Sequence, residues 1–280
     1  MGFLNIIAEP LGKFLYWIYN TVAFENYGLA IIIFTIIVRA ALFPLTLKQY
    51  KSTGEMQKVQ PLLKEVQRKY ANDKEKLNQE TMKLYQEHKI NPAGGCLPLL
   101  IQMPILLTLW QVITKPLTFM LGFTTETVNK LATTANVAKN TYREIDTITD
   151  FINKGLGDQV GNLNMYFPSH AFGINLGTIP TWHIDKLAAD PSKIVLLILP
   201  LLAVATTYLT ARMSMPKTTD KAANPMGNSM LYISPLMTLI FSFQFPAGLA
   251  LYWIAGNIFA IGQQYYVNKY VLNKKEVVNK

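Results

Sequence analysis

The chain has 280 residues, of which 50% are hydrophobic and only 15% are charged. This apolar excess excludes a disordered chain and favours a membrane protein with several spans over a soluble domain. The net charge of +9 is concentrated in a few segments between the apolar stretches. The single cysteine, Cys96, cannot form an intramolecular disulfide, and the three histidines have no ligand spacing, so neither a metal site nor a cofactor is expected.

Residues 1–26 predict an amphipathic helix that lies along the membrane surface outside the cytoplasm. Apolar residues recur there at spacings of three and four, at positions 4, 7, 11, 15, 18 and 22. Tyr16, Trp17 and Tyr19 are typical of the aromatic belt at a membrane interface. The segment has no basic start and no small-residue cleavage site, so a secretory signal peptide is not expected.

Five apolar stretches predict five transmembrane helices, at 27–47, 93–113, 191–211, 229–243 and 246–267. The first is expected to cross the bilayer as one helix. The fourth would be only about 22 Å long, so the bilayer would be thinned there or the helix sheltered. The predicted fold class is therefore an all-α polytopic membrane protein.

Residues 48–90 change to a water-soluble composition, with ten Lys or Arg and six Asp or Glu. A pattern of mostly apolar residues with steps of three and four predicts a helical hairpin with a short coiled-coil-like seam, at Met56, Val59, Leu63, Val66 and Tyr70 and again at Leu77, Thr81 and Leu84. Pro61 predicts a kink or a late helix start in the first arm. The basic excess is either a solvated face or a surface for lipid phosphates or ribosomal RNA.

The other aqueous segments are 114–190, 212–228 and the basic tail 268–280. Residues 114–190 have little periodicity, so loops and one short helix near 141–154 are expected. The hairpin, the 212–228 loop and the tail hold 17 of the 26 Lys and Arg residues. The positive-inside rule therefore predicts an outer N-terminus, with the hairpin and the C-terminus in the cytoplasm.

Arg39 is the only charged residue in the interior of a predicted span, and the other four apolar stretches contain no Asp or Glu. A charge at this depth costs between about 2.5 and more than 10 kcal/mol unless it faces a partner or water. One interpretation is that Arg39 snorkels to the membrane edge, or contacts backbone carbonyls that Pro44 leaves without a donor. The other is a hydrated intramembrane site with a positive potential.

Helix rise converts the sequence positions of polar residues into approximate depths. Arg39 and Gln102 each lie about 12 Å from the cytoplasmic end of their span, and Asn257 lies about 15 Å from it. Thr206, Thr207 and Gln264 are expected between this layer and the cytoplasm, while the outer halves are mostly apolar. This asymmetry predicts a cavity that is open to the cytoplasm and closed outside. Each amide alone is equally compatible with a helix-to-helix hydrogen bond.

Four segments together resemble the YidC/Oxa1/Alb3 membrane protein insertases: VRAALFPLTLKQ at 38–49, the basic hairpin, NPAGGCLPLLIQMPI at 91–105 and FPAGLALYW at 245–253. The resemblance is to compact bacterial members without a large periplasmic domain. It implies five core helices, a multi-pass plasma-membrane location and a hydrophilic groove in which Arg39 supplies the charge. The candidate groove residues are therefore Arg39, Gln102, Thr206, Thr207, Trp253, Asn257 and Gln264.

The resemblance also implies partners: nascent membrane proteins, membrane lipids, and the ribosome and Sec translocon, but no DNA. Two function classes remain open from the residues themselves. An insertase would lower the barrier for a polar segment to cross, whereas a small anion or solute transporter would use Arg39 as its selectivity charge. The absence of inverted repeats and of polar outer halves counts against the transporter. No paired carboxylates or nucleophile constellation indicates an enzyme.

Overall fold

The computed structural model describes residues 2–88, 97–167, 173–190, 192–214 and 225–272. The N-terminal half contains α1 (Gly2–Thr21), α2 (Tyr27–Ala41), α3 (Phe43–Lys69), α4 (Lys74–Glu87) and α5 (Leu97–Thr114). The middle contains α6 (Pro116–Phe119), α7 (Thr125–Thr134), α8 (Arg143–Asn153), a 3-10 turn (Gly157–Val160), β1 (Tyr166–Phe167), β2 (Ile174–Asn175) and α9 (Ile184–Ala189). The last part contains α10 (Ser192–Leu196), α11 (Ile198–Ser214), α12 (Pro225–Ser242), α13 (Ala247–Val267) and a π-helical turn (Asn268–Leu272).

The described residues are therefore mostly helical, as expected, with one short antiparallel strand pair, β1–β2. Helix α13 lies at the centre of the bundle and packs against α2 on one side and α11 on another. More than half of its residues are buried, including Leu249, Tyr252 and Ile254. Helix α12 packs mainly on α11, and α5 packs mainly on α1. The core helix of the bundle is thus the last apolar stretch of the sequence.

The first apolar stretch does not form one straight helix, which corrects the expectation for 27–47. Helix α2 ends at Ala41, α3 begins at Phe43, and the two axes are bent by 63°. Pro44 occupies the first turn of α3, where it has no N–H to donate to the preceding turn. The hydrogen bonds of α2 consequently stop at Leu42, whose N–H donates to the carbonyl of Val38.

Where the sequence predicts the hairpin, the structure has two helices, α3 and α4, joined by a turn at residues 70–73. Asp73 caps α4, because its side chain accepts a hydrogen bond from the N–H of Lys76 at 3.0 Å. Val59 and Leu84 are buried in the seam, with Leu63 and Val66 partly buried beside them. Of the two expectations for Pro61, the late helix start is excluded, because α3 continues through this residue.

The middle segment, 115–190, is more ordered than the sequence indicated. The helix expected near 141–154 is confirmed as α8, but α6, α7, the 3-10 turn and the strand pair surround it. Its apolar face, with Ile145, Ile148 and Phe151 buried, joins the hydrophobic core of the spans. The periodicity is hard to detect in the sequence because these elements are only two to eleven residues long. We refer to residues 115–190 together with α1 as the capped end of the bundle, and to α3 with α4 as the hairpin end.

A buried glutamate ties α8 to α6 within the capped end. The Glu144 carboxylate accepts hydrogen bonds from the N–H of Thr118 at 2.9 Å and from the Thr118 hydroxyl at 2.6 Å. Because α6 begins at Pro116, the carboxylate lies at the N-terminus of that helix, where negative charge is favourable.

Helix α1 is packed more deeply than expected for a helix that only rests on a surface. Leu15 and Ile18 are buried as the periodicity predicts, but Val22 is 43% exposed. Tyr19 is also buried, and its hydroxyl donates to the carbonyl of Asn162 and accepts from the N–H of Asn164. The capped end supplies a folded core against which this helix packs.

The N-terminus of α13 is closed by backbone groups of the capped end. The N–H of Ala247 donates to the carbonyl of Thr178 at 2.9 Å, and the N–H of Gly248 donates to that of Leu176 at 2.8 Å. Pro246 at the cap offers no side-chain acceptor, so these carbonyls satisfy two amides that a helix start otherwise leaves free. The Tyr142 hydroxyl adds a bond to the carbonyl of Gln244.

Among the described residues, one helical stretch, Lys193–Ser214, is long and apolar enough to cross a membrane by itself. The bent pair Tyr27–Ala41 and Phe43–Met56 passes the same criterion as a broken span. Met103–Thr114 and Leu231–Ser242 are shorter apolar helices. The helix lengths alone therefore support fewer spans than the five that the sequence pattern predicts.

Candidate functional site

Arg39 lies in the last turn of α2, immediately before the break at Leu42. The depth of about 12 Å that was estimated from the sequence assumed a helix running straight to residue 47. Because the helix bends after Ala41, that estimate does not apply. The carbonyls of a last helical turn carry partial negative charge and lack intrahelical donors. A cation in this position is stabilised by roughly 0.3–1 kcal/mol when exposed, and by up to about 2 kcal/mol when partly buried. The helix end thus offers Arg39 a compensation that the sequence pattern did not reveal.

The Arg39 side chain reaches across to α13. A Cβ placed on Gly256 would lie 2.9 Å from its Nη2 atom and 3.3 Å from its Nε atom. The guanidinium therefore occupies the space that any larger residue at 256 would need. Tyr50 of α3 lies close enough to Arg39 for the guanidinium charge to interact with its hydroxyl group.

The polar atoms of Arg39 are incompletely satisfied. Its Nε atom is buried and has no hydrogen-bond partner. The ion pairs among the described residues all join neighbours three or four positions apart, and none includes Arg39. Within that part of the chain, Arg39 is a partly buried cation without an acidic partner.

Asn257, the residue after Gly256, points to a different face of α13. Its side-chain NH₂ donates to the hydroxyl of Thr206 at 3.2 Å and to that of Thr207 at 2.9 Å. Thr207 also accepts a hydrogen bond from Thr238 of α12 at 3.4 Å. These hydrogen bonds link the three helices α11, α12 and α13. For Asn257 the structure therefore has the helix-to-helix hydrogen bond that the sequence left open as an alternative to a cavity residue. It also corrects the expected depth of Thr206 and Thr207, which lie level with Asn257.

The remaining predicted residues lie apart from this link. Gln264 donates to the side chain of Asn268 at 3.0 Å, while its own carbonyl oxygen is buried without a partner. Trp253 stacks on Phe241 of α12, with ring centroids 6.3 Å apart. Gln102 belongs to α5, but its side chain lies outside the described residues.

Sequence reasoning missed Gly256 and Tyr50 near Arg39, and Gln263 two turns further along α13. Gln263 is 8% exposed, and both polar atoms of its amide are buried without a partner. Its position seven residues after Gly256 places it on the same face of α13, which a helical-wheel reading of 246–267 would have revealed. Tyr50 had no such signal, because it belongs to the segment assigned to water.

Large apolar side chains cover the outer faces of α11 and α12. Leu201 is 65% exposed and Ile233 is 54% exposed, and the same faces carry Leu202, Leu209, Tyr232 and Leu236. Exposed apolar side chains in such numbers mark contact with lipid or with another apolar chain.

Comparison with known proteins places these features in a family. A family model described as 60Kd inner membrane protein matches residues 17–275. A membrane protein insertase YidC from Fusobacterium nucleatum is 32% identical over 268 residues, which are 95% of this chain and 98% of that protein. The protein named membrane protein insertase YidC 2 from Listeria innocua is 34% identical, covering 97% of this chain and 74% of that protein.

Longer relatives and a solved structure extend the comparison. YidC from Pelobacter propionicus is 36% identical over 97% of this chain, which spans only 40% of that protein. A crystal structure described as an active YidC insertase with its first transmembrane domain resolved aligns with a TM-score of 0.54. That alignment has 24% identity, covers 94% of this chain and 46% of the other, and supports the fold alone. Since the family model covers most of the sequence and relatives at 32% and 34% identity match nearly all of it, the chain belongs to the YidC/Oxa1/Alb3 family of 60Kd inner membrane proteins.

Proposed function

We propose that the protein is a membrane protein insertase of the bacterial plasma membrane. It receives nascent membrane proteins from the cytoplasm, alone or with the ribosome and the Sec translocon. The relatives that carry the name membrane protein insertase support this proposal. The single observation that carries it is the pairing of Arg39, a partly buried cation without an acidic partner, with an exposed apolar surface on α11 and α12.

The proposed topology has five spans, an outer N-terminus and a cytoplasmic C-terminus. In this arrangement the capped end faces outward and the hairpin end faces the cytoplasm. Two features support it: the Lys and Arg excess at the hairpin end, and the closure of the α13 N-terminus by Leu176 and Thr178. The break after α2 then places Arg39 near the cytoplasmic end of a shortened first span.

In the proposed mechanism, a polar segment of the substrate moves partway across beside Arg39. Its desolvation cost falls because water and a positive potential replace hydrocarbon along part of the path. The apolar segment of the substrate leaves along α11 and α13 into lipid, where the exposed leucines and isoleucines offer a surface of matching chemistry. No covalent step is required.

The test compares Arg39→Lys and Arg39→Ala with wild type in reconstituted insertion. Each is given two single-span substrates, one with Asp or Glu in the translocated segment and one with those residues neutralised. Charges about 6 Å apart at an effective dielectric of about 20 attract by nearly 3 kcal/mol, which is about a hundredfold in rate if felt at the barrier. We expect Arg39→Ala to slow the acidic substrate strongly and the neutral one less, with Arg39→Lys in between.

A matched control is Arg212→Ala, because Arg212 also lies in the last turn of a helix, α11, but is exposed. It should leave both substrates unaffected. Equal behaviour of Arg39→Ala and Arg39→Lys on both substrates would rule out the charge as the mechanism. Saturable solute uptake into liposomes without any insertion would instead favour the transporter.

A further inference from the structure

Three tyrosines and a lysine lie on the exposed side of the last turns of α13 and of the π-helical turn that follows it. Tyr265, Tyr266 and Tyr270 are between 47% and 59% exposed. Lys269 is also exposed, and its Nζ atom lies 5.7 Å from the centroid of the Tyr265 ring and 5.2 Å from that of Tyr270. Lys269 takes part in none of the ion pairs among the described residues. Its positive charge therefore lies over two aromatic rings, with no carboxylate of the described chain in an ion pair with it.

Packing within the chain does not account for these aromatic side chains. The Tyr266 ring contacts Phe43 at the start of α3, with centroids 6.3 Å apart, and the Tyr270 ring at 5.2 Å. About half of each tyrosine nevertheless remains uncovered, while Val267 on the opposite side of the helix is fully buried. Tyrosines with a free polar tip and an uncovered ring are typical of the boundary between an apolar phase and water.

The polarity of this side of α13 changes in steps along the helix. Ile258 is 58% exposed and precedes Tyr265 by seven residues and Lys269 by eleven, so the three side chains lie on one face. That face is apolar at Ile258, amphipathic at Tyr265 and charged at Lys269. Eleven residues of helix span about 16 Å, and one half of a hydrocarbon core of about 30 Å is about 15 Å thick. The face thus has the length and the order of polarity of one lipid leaflet, with Lys269 at the level of the headgroups.

We propose that Lys269 and the tyrosines around it bind the phosphate group of an anionic phospholipid whose acyl chain lies along Tyr265 and Ile258. An ammonium group has three N–H donors, so those directed away from the rings are free for phosphate oxygens, and a tyrosine hydroxyl offers one more donor. In the proposed topology the lipid belongs to the cytoplasmic leaflet, where lysines next to a span attract anionic headgroups. The site needs a membrane but no insertase activity, so it stands or falls independently of the proposed function.

Charge complementarity and shape both favour this ligand. Residues 268–280 contain four lysines and one glutamate, so the charge around the site is positive in sequence as well. A lysine beside exposed aromatic rings also occurs where proteins stack RNA bases. An RNA, however, offers nothing apolar to the face that continues for the depth of a leaflet from Lys269 to Ile258. A phospholipid covers both parts of the surface at once.

The chain contains a matched pair that lacks the apolar face. Lys69 lies over the ring of Tyr70 at 5.3 Å in the turn of the hairpin. Its helix neighbours there include the exposed residues Glu65 and Arg68, with no exposed isoleucine or tyrosine at the spacing found in α13. If a lysine over a tyrosine were sufficient for lipid binding, this pair would bind as well, and we expect that it does not.

The experiment uses the full chain, purified and delipidated in detergent, and native mass spectrometry to count bound lipid during titration. We expect wild type to bind one phosphatidylglycerol more tightly than phosphatidylcholine. Lys269→Gln should weaken the binding of that phosphatidylglycerol about fivefold and leave phosphatidylcholine binding unchanged, because one lysine near a headgroup contributes about that factor. Lys269→Arg keeps the charge and should bind nearly as wild type does. Lys69→Gln, the matched control, should be indistinguishable from wild type.

Three results would overturn the proposal. The first is equal binding of the two lipids by wild type, or unchanged phosphatidylglycerol binding by Lys269→Gln. The second is an equal loss in Lys69→Gln, which would indicate attraction by net charge without a site. The third comes from a parallel titration with a short single-stranded RNA: RNA binding that requires Lys269 and displaces phosphatidylglycerol would assign the cluster to nucleic acid. An unchanged melting temperature of Lys269→Gln, expected at an exposed position, accompanies the supporting outcome.

Discussion

Gly256 determines where the Arg39 guanidinium can lie. A Cβ at this position would approach Nη2 to 2.9 Å, a contact that a flexible arginine relieves by a small shift, whereas a larger side chain fills the same space. The sequence showed that Arg39 lacked an acid in the spans, and among the described residues the structure agrees. The sequence did not show the contact between Arg39 and Gly256, because these two residues, 217 positions apart, meet only through the packing of α2 on α13.

We expect Gly256→Leu to reduce the preference of insertion for acidic substrates, because it displaces the guanidinium without removing the charge. Gly256→Ala should be close to wild type. Gly262→Leu is the matched control, since a Cβ at Gly262 on the same helix meets nothing within 4 Å. The measurement is the ratio of insertion rates for acidic and neutralised substrates, and an unchanged ratio in Gly256→Leu would disprove the positioning role.

Glu144 in the capped end makes stability depend on pH. Burial raises the pKa of its carboxyl, while the hydrogen bonds from Thr118 and the charge of Lys115 act in the opposite direction. The folded protein therefore holds this proton more tightly than the unfolded chain, so the contribution of Glu144 is most favourable at acid pH and declines as pH rises through the folded pKa.

Glu144→Gln removes this titration. Between pH 7.5 and pH 5 we expect the melting temperature of wild type to rise by about 1–3 °C relative to Glu144→Gln. Glu126→Gln, at an exposed position on α7, should follow wild type at every pH. A constant difference between wild type and Glu144→Gln across the range would contradict the assignment.

At the scale of elements, the sequence predicted those that have a long periodic pattern and missed those that depend on tertiary contacts. The hairpin follows from its apolar spacing, whereas α8 was expected only as one short helix in a segment of little periodicity. The bend after α2 was missed because Pro44 was weighed only as a source of free carbonyls, although a proline in the first turn of a helix also allows the chain to change direction. The capped end was missed because its short elements are stabilised by packing on α1 and α13.

The hairpin is held together by a small seam in which Val59 and Leu84 are the buried residues. We expect amide hydrogen exchange in α4 to be much faster than in α13, whose residues are largely buried. Leu84→Ala should speed exchange throughout α4 and leave α13 unchanged, because truncating a buried leucine costs about 2–5 kcal/mol locally. Lys83→Ala, at the exposed neighbouring position, should have no effect. Exchange as slow in α4 as in α13 would contradict the expectation that the small seam leaves α4 less stable than the core.

At the scale of the whole molecule, charge asymmetry and the covered N-terminus of α13 lead to one proposed orientation. In a background lacking Cys96, we expect a cysteine at Lys139 of the capped end to react with an impermeant thiol reagent in intact cells. A cysteine at Asn72 in the turn of the hairpin should react only after permeabilisation. Both positions are exposed, so permeabilised cells provide the control for reactivity. The reverse labelling pattern would invert the topology and place Arg39 nearer the outer face.

The backbone bonds from Ala247 and Gly248 to the carbonyls of Thr178 and Leu176 also have a consequence for biogenesis. The acceptors leave the ribosome about seventy residues before the donors, which at about 5–20 residues per second is a delay of roughly 4–14 s. The Tyr142–Gln244 bond, which joins residues 102 positions apart, waits longer, roughly 5–20 s. In the proposed topology, therefore, the segment 115–190 is translated and exported before its final contacts exist. Protease resistance of that segment should appear only after α13 has been inserted, so a chain stalled before residue 245 should be cleaved there by a protease added from outside.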